Sequence, residues 1–248
     1  MSYIKKTVSI NGTETEFMKT FIRELTAADE RIVCESDDAT INKATSNTPD
    51  STPIYIKINN SCKIKIERPT VLNNTSYNFS AIINNRKYSE ILINFINSGS
   101  LYSNDVSTRV YNFSVISNDN VIFVSIGAQN NNTIASSQFF ILSVDYDNFT
   151  ASGVSGAFSS LNTLYCTDEI NTNTAISLFN RLPYNRTIND INIIDSKILV
   201  NNGTNTKFTE VFTGMIDCSY IASPNVITTE YGRYFVLNGY TLIPIVED

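Results

Sequence analysis

Residues 53–68, PIYIKINNSCKIKIER, constrain the fold more than any other segment. Ile54, Ile56 and Ile58 recur at every second position. After Asn59 and Asn60 the pattern resumes with Cys62, Ile64 and Ile66, while Lys63 and Lys65 take the opposite parity. A period of two sends alternate side chains to opposite faces of a strand and cannot make one face of a helix. Two such runs around a short Asn-rich turn predict a β-hairpin. The same kind of run returns as SYNFSAII, YSEILINFI, RVYNFSVI, VIFVSIG and SSQFFILSVDY, at spacings of about 10–17 residues. Further on, VITTEYG, RYFVLNG and TLIPIVED follow, and Asn238-Gly239 predicts a closing hairpin, VLNGYTLIPI. Short strands in series without intervening helices predict a mainly β chain built of antiparallel sandwich or barrel modules.

One helix is expected. Phe17, Phe21, Leu25 and Ala28 are spaced four, four and three apart, which places them on one face. Thr13 or Thr15 can cap its start, with Glu14 and Glu16 near the positive end of the dipole. The opening YIKKTVSI reads as a strand ending in an Asn11-Gly12 turn, and RIVCE after Asp29 reads as extended. Residues 36–52 are polar, lack periodicity and read as a loop. Residues 151–160, ASGVSGAFSS, are small and read as an internal boundary. The expected divisions are therefore residues 1–50 with the strand, helix and polar loop, 51–150 as a β-sandwich, and 151–248 as a second β module.

Composition sharpens this. The 248 residues include 32 Asn and 32 Ile, about a quarter of the chain. Coding bias in an AT-rich genome accounts for most of that excess. Its placement still informs, because Asn tolerates turn backbone and clusters between apolar runs, as at Asn84 and Asn85. Ten Asn-x-Ser/Thr sites follow, among them Asn11, Asn78, Asn112, Asn148 and Asn185, at a density such a composition yields by chance. Cys34, Cys62, Cys166 and Cys218 are far apart and adjoin apolar runs, as small buried hydrophobes do. There is no histidine, which excludes Ser-His-Asp and Cys-His catalysis, histidine metal ligation and an imidazole pH switch. A net charge of −6 with sparse Lys and Arg argues against a nucleic-acid groove. No apolar run is long enough for a membrane helix, and MSYIKKTVSINGTETEF lacks the apolar core of a signal peptide.

The remaining chemistry is thin. Gly153-Val154-Ser155-Gly156 has neither the spacing nor the lysine of a phosphate loop. Asp145, Asp147 and Asn148 offer oxygen ligands for Ca²⁺ but lack EF-hand spacing, and read first as a strand-to-turn junction. Asp37, Asp38, Glu90, Asp168 and Glu169 are carboxylates that a histidine-free glycosidase could use. Tyr102, Tyr111, Tyr184 and Tyr220 lie in or near expected loops, where aromatic faces can stack on sugars. No metal and no cofactor is expected.

Residues 17–68 run helix FMKTFIREL, then DERIVCE, a polar loop and PIYIKINNSCKIKIERP. This order resembles small structural proteins of tailed bacteriophages of low-GC Gram-positive hosts, in which a short helix precedes a D-x-R-I segment and a β-domain with an I-x-R strand, here Ile66-Glu67-Arg68. GRYFVLNGYTLIPI resembles the closing hairpins of tail and baseplate modules. The resemblance covers about a third of the chain and brings no catalytic residues. It implies a non-enzymatic virion protein of the tail or baseplate, assembled in the host cytoplasm, whose partners are other virion proteins and copies of itself. Neither nucleic acid nor membrane is an expected partner. The alternative is a receptor- or carbohydrate-binding module that takes a host surface glycan, and a carboxylate-dependent glycoside hydrolase comes third. The helix stripe Phe17, Phe21 and Leu25 is either an assembly and docking face or a packing face for the chain's own β-domain.

Overall fold

The computed structural model describes residues 2–46, 52–58, 62–68, 76–83, 85–94, 96–98, 107–128, 138–146, 149–155, 164–166, 175–178, 198–201, 206–209, 216–217, 226–229, 232–237 and 241–245. The chain is mainly β, in three antiparallel sheets. It opens with β1 (Ser2–Gly12), α1 (Glu14–Thr26), β2 (Val33–Cys34), α2 (Asp38–Ala44), β3 (Ile54–Lys57) and β4 (Cys62–Glu67). There follow β5 (Ser76–Ile83), β6 (Arg86–Asn94), β7 (Ile96–Ser98), β8 (Ser107–Asn118), β9 (Val121–Ala128), β10 (Gln138–Tyr146) and β11 (Phe149–Ser155). The last strands are β12 (Leu164–Cys166), β13 (Ala175–Leu178), β14 (Ile198–Asn201), β15 (Thr206–Thr209), β16 (Ile216–Asp217), β17 (Val226–Thr229), β18 (Gly232–Leu237) and β19 (Thr241–Ile245).

A five-stranded sheet runs β2-β3-β4-β5-β6. A ten-stranded sheet runs from β1 through β8, β9, β10 and β11 to β15, with β7 also on β8, and a four-stranded sheet runs β16-β19-β18-β17. The expected hairpin is present, with Ile54 opposite Ile66 and Ile56 opposite Ile64. Its isoleucines and Cys62 are buried, as the alternation requires. Asn85 lies in the turn from β5 to β6 and takes φ 62°, a left-handed value that Asn accepts more readily than most residues. The closing hairpin pairs β18 with β19, Leu237 opposite Thr241.

The ten-stranded sheet is buried on both faces at β8 and β9, the second and third strands from its β1 edge. Register puts Phe113, Val115, Val124, Ile126, Phe139 and Ile141 on one face. These side chains share one core with α1 and the five-stranded sheet. There Phe21 meets Phe113 edge-on, with ring centroids 6.0 Å apart, and Phe79 meets Phe139 at 5.8 Å. The opposite face carries Ile116, Val121 and Phe123, and it is covered by Phe235 of the four-stranded sheet, 5.4 Å from Phe123. This is why VIFVSIG is a continuous apolar run rather than an alternating one: a strand covered on both sides needs apolar residues at both parities.

Helix α1 begins with a full capping box. The Thr13 hydroxyl accepts from the Glu16 amide, and the Glu16 carboxylate accepts from the Thr13 amide at 2.8 Å. Of Thr13 and Thr15, Thr13 is thus the cap. Phe17, Phe21 and Leu25 are fully buried in the chain's own core, together with Met18 and Ile22. The stripe is therefore a packing face, and a docking face of those three side chains is not what α1 presents.

Four other expectations change. A second helix, α2, occupies part of the stretch read as a loop. Asp37 caps it through the Thr40 amide at 2.7 Å, but only Ile41 and Ala44 are buried, too few to show a period. Asn11 and Gly12 do not turn. They end β1, opposite Thr108 and Ser107, and the helix starts directly after them. The small residues 151–155 belong to β11, where Gly153 stands opposite Leu142, so the expected boundary begins as a paired strand. Residues 156–160 lie outside the described residues. Finally, β1 of the first expected division pairs with β8 of the second, and one sheet joins β10 to β15, so the sheets cross the divisions at 50 and 150.

Phe21→Ala is expected to destabilise the fold by about 3–5 kcal/mol in urea denaturation, because it empties a filled core position. A loss under about 1 kcal/mol would show that α1 is not part of the core.

Candidate functional site

At one end of the ten-stranded sheet the loop after α1 approaches the β8–β9 turn. That turn is two residues long, Asp119 and Asn120, and Asn120 donates its amide to the Asn118 side chain at 3.0 Å. Between loop and turn lies an open cleft of about 510 Å³ lined by Ser2, Asp29, Glu30, Arg31, Ser117, Asn118 and Asp119. Every lining residue is polar. The β1–β8 pairing brings Ser2 opposite Ser117, hydroxyl to hydroxyl at 2.8 Å.

Asp29 and Arg31 of the D-x-R-I segment form its wall. Arg31 donates Nε to Asp29 Oδ1 at 2.9 Å and Nη2 to Oδ2 at 2.8 Å, and its backbone amide adds a third bond to Oδ1 at 3.0 Å. Its remaining nitrogen Nη1 donates to the Asp119 carbonyl at 3.1 Å, tying the loop to the turn. Burial of the Asp29 carboxyl works against its charge, yet the Arg31 bonds and the Ser117 hydroxyl outweigh it and hold the group at about 2, below the usual 3.8. The carboxylate is bound on both oxygens and stays ionised well below neutral pH. The wall is a clasp.

The arginine of the I-x-R strand is a clasp too. Arg68 sits 3.2 Å from Glu14 Oε2, and both side chains are almost fully buried. Nη1 of Arg68 donates to the carbonyls of Thr45 and Ser46 at the end of α2. The other Glu14 oxygen accepts from the Tyr77 hydroxyl. The first turn of α1, the end of α2 and strands β4 and β5 therefore meet in one polar knot. Thr15 and Thr45 extend it through a 2.6 Å hydroxyl contact.

The other candidate residues do not converge on this cleft. Asp37 is the α2 cap, and the Thr40 hydroxyl and amide lower its pKa. Asp38 pairs with Lys19 at 2.8 Å. Glu90 lies on β6, and Asp168 and Glu169 lie outside the described residues. Asp145 lies on β10 opposite Thr150, while Asp147 and Asn148 lie outside the described residues, between Tyr146 and Phe149, which face each other across the β10–β11 connection. No cluster of metal-ligating side chains occurs among the described residues. Cys62 is buried, and burial raises the Cys34 thiol, so Cys34 is not an activated nucleophile. Cys166 lies on β12, and Cys218 lies outside the described residues. Tyr111 lies on β8, while Tyr102, Tyr184 and Tyr220 lie outside them. Comparison of the chain with protein-family models, curated proteins and solved structures finds no match.

Asp29 has its pKa lowered on folding, so its contribution is present above its unfolded value and is lost as pH falls from about 5 through about 2. Asp29→Asn should cost roughly 2 kcal/mol at pH 7. Denaturation curves of the variant and the parent should converge near pH 2, and a gap independent of pH would contradict the clasp. Arg68→Met leaves Glu14 buried without its cation and should cost about 3–5 kcal/mol, whereas adding Glu14→Gln should recover part of the loss. Strictly additive losses would show that the two groups do not act as a pair.

Proposed function

We propose that this chain is a non-enzymatic structural protein of a bacteriophage virion, a tail or baseplate component that builds the particle through its β-domains in association with copies of itself and with other virion proteins. The observation that carries the reading is β1. It is eleven residues long and, among the described residues, forms the edge of the ten-stranded sheet, pairing along its length with β8 alone. A long, regular edge strand is a liability in a solitary protein and a ready pairing site in an assembling one. Symmetric association then multiplies a single contact around a ring.

Further support comes from the motif arginines. Arg31 and Arg68, which carry the resemblance to phage structural proteins, are both held in clasps within the chain. Of the cleft's carboxylates, Asp29 is locked by Arg31, while Glu30 and Asp119 stand exposed.

A carbohydrate-binding module is the second reading. The polar cleft favours it, because Asp, Asn and Arg side chains suit sugar hydroxyls. Among the described residues no aromatic side chain lines the cleft to stack on a sugar ring, which weighs against it.

Sedimentation velocity of the purified chain should show a defined oligomer, and a glycan array should show no binding. A monomer that retains host glycans would replace the first reading with the second. Hydrolysis of cell-wall polysaccharide, abolished by changing one carboxylate, would overturn both.

A further inference from the structure

The outer face of the five-stranded sheet combines three features. First, cross-strand register builds a row across it in which Val33 stands opposite Lys57, Lys57 opposite Lys63, Lys63 opposite Ile82 and Ile82 opposite Lys87. Like charges directly opposite each other destabilise a sheet, so the Lys57–Lys63 pair is held at a cost. Lys63 reaches aside to Glu35 at 2.6 Å, and Lys87 reaches toward Glu67 at 3.5 Å. Lys57 has no ion-pair partner among the described residues.

Second, Val33 and Leu92 are the two large apolar side chains that stand exposed among the described residues, at 48 and 44 %. Both lie on this face, on its opposite edge strands β2 and β6. Val33 ends the lysine row, whereas Leu92 belongs to a separate cross-strand row with Asn78 and Glu67.

Third, the chain as a whole carries −6, so its remaining surface is acidic overall. The cleft lining adds to it, with three carboxylates against one guanidinium. Glu30 and Asp119 are exposed there, and Arg31, the one cation in the lining, is held by Asp29.

We propose that the lysine row of one copy docks against the acidic cleft of a second copy of this chain, with Lys57 and Lys63 facing Glu30 and Asp119 and with Val33 covered at the end of the row. An anionic partner relieves the Lys57–Lys63 repulsion, which gives the contact a reason to form. The two surfaces are different patches, so the contact is head-to-tail and generates a ring or an open filament rather than a twofold dimer. This inference rests on the assembly reading and names the surfaces that read each other within it.

The test is sedimentation velocity of the full chain in 50 and 500 mM salt, about 14 and 4 Å of screening length respectively. The parent chain should be an oligomer in low salt and dissociate in high salt. Lys57→Glu with Lys63→Glu should weaken association by about tenfold or more, as should Glu30→Lys with Asp119→Lys. Mixing the two double variants should restore it, because each supplies the surface the other has lost. Thermal melts of each variant by circular dichroism control for folding, and all four substituted residues are at least partly exposed. An oligomer indifferent to both reversals overturns this contact and leaves the assembly reading standing. A monomer in low salt at every concentration overturns both.

Discussion

Phe21 meets Phe113 on one face of the central sheet, and Phe235 meets Phe123 on the other. Those two ring contacts mark the constraint on which the rest of the fold depends: the β8–β9 part of the ten-stranded sheet has no solvent side. Residues 113–117 and 121–127 are buried without interruption. The five-stranded sheet and α1 exist as layers because the first face must be covered, and the four-stranded sheet because the second must be. A fully buried aromatic or branched aliphatic side chain contributes about 1.5–3 kcal/mol from burial, and these faces hold many. Polar exceptions are few, Ser114, Ser117 and Ser125 among them, small hydroxyls on strands whose backbone is already paired.

Charge in this molecule is used to join elements that the apolar layers leave loose. Arg31 fastens the loop after α1 to the β8–β9 turn, and Arg68 fastens the starts of α1 and β5 to the end of α2. Buried ion pairs contribute little net stability but are costly to break, so they fix one arrangement against others. Groups used in this way are unsuited to proton transfer. The chain has no imidazole to carry a proton near neutral pH, and the Asp29 clasp withdraws the carboxylate in the wall of the polar cleft. An edge strand, a lysine row and an acidic rim remain exposed among the described residues.

Local features were legible in the sequence and long-range ones were not. Alternation at residues 53–68 predicted the β3–β4 hairpin because one face is buried and the other is wet. The α1 face was readable because its apolar residues recur over three turns, while α2, with two buried side chains, fell below any period. Asn11-Gly12 misled because a turn-forming pair can also end a strand where a capped helix follows at once. At the cleft, the pairing of Asp29 with Arg31 is two residues apart and follows from D-x-R. Its anchor at Asp119 lies 88 residues away and depends on the register of β8 and β9. The knot of Glu14, Arg68 and Tyr77 spans 63 residues between Glu14 and Tyr77, and local pattern carries no trace of it.

The central claim is that one twice-covered sheet supports both outer layers. Native-state hydrogen exchange tests it most directly, since amides that open only by global unfolding exchange slowest. Peptides covering residues 113–117 and 121–127 should be the slowest in the chain, slower than those from β1 or β17 at the sheet edges. Exchange of the β8 and β9 amides as fast as that of the edge strands would contradict the account.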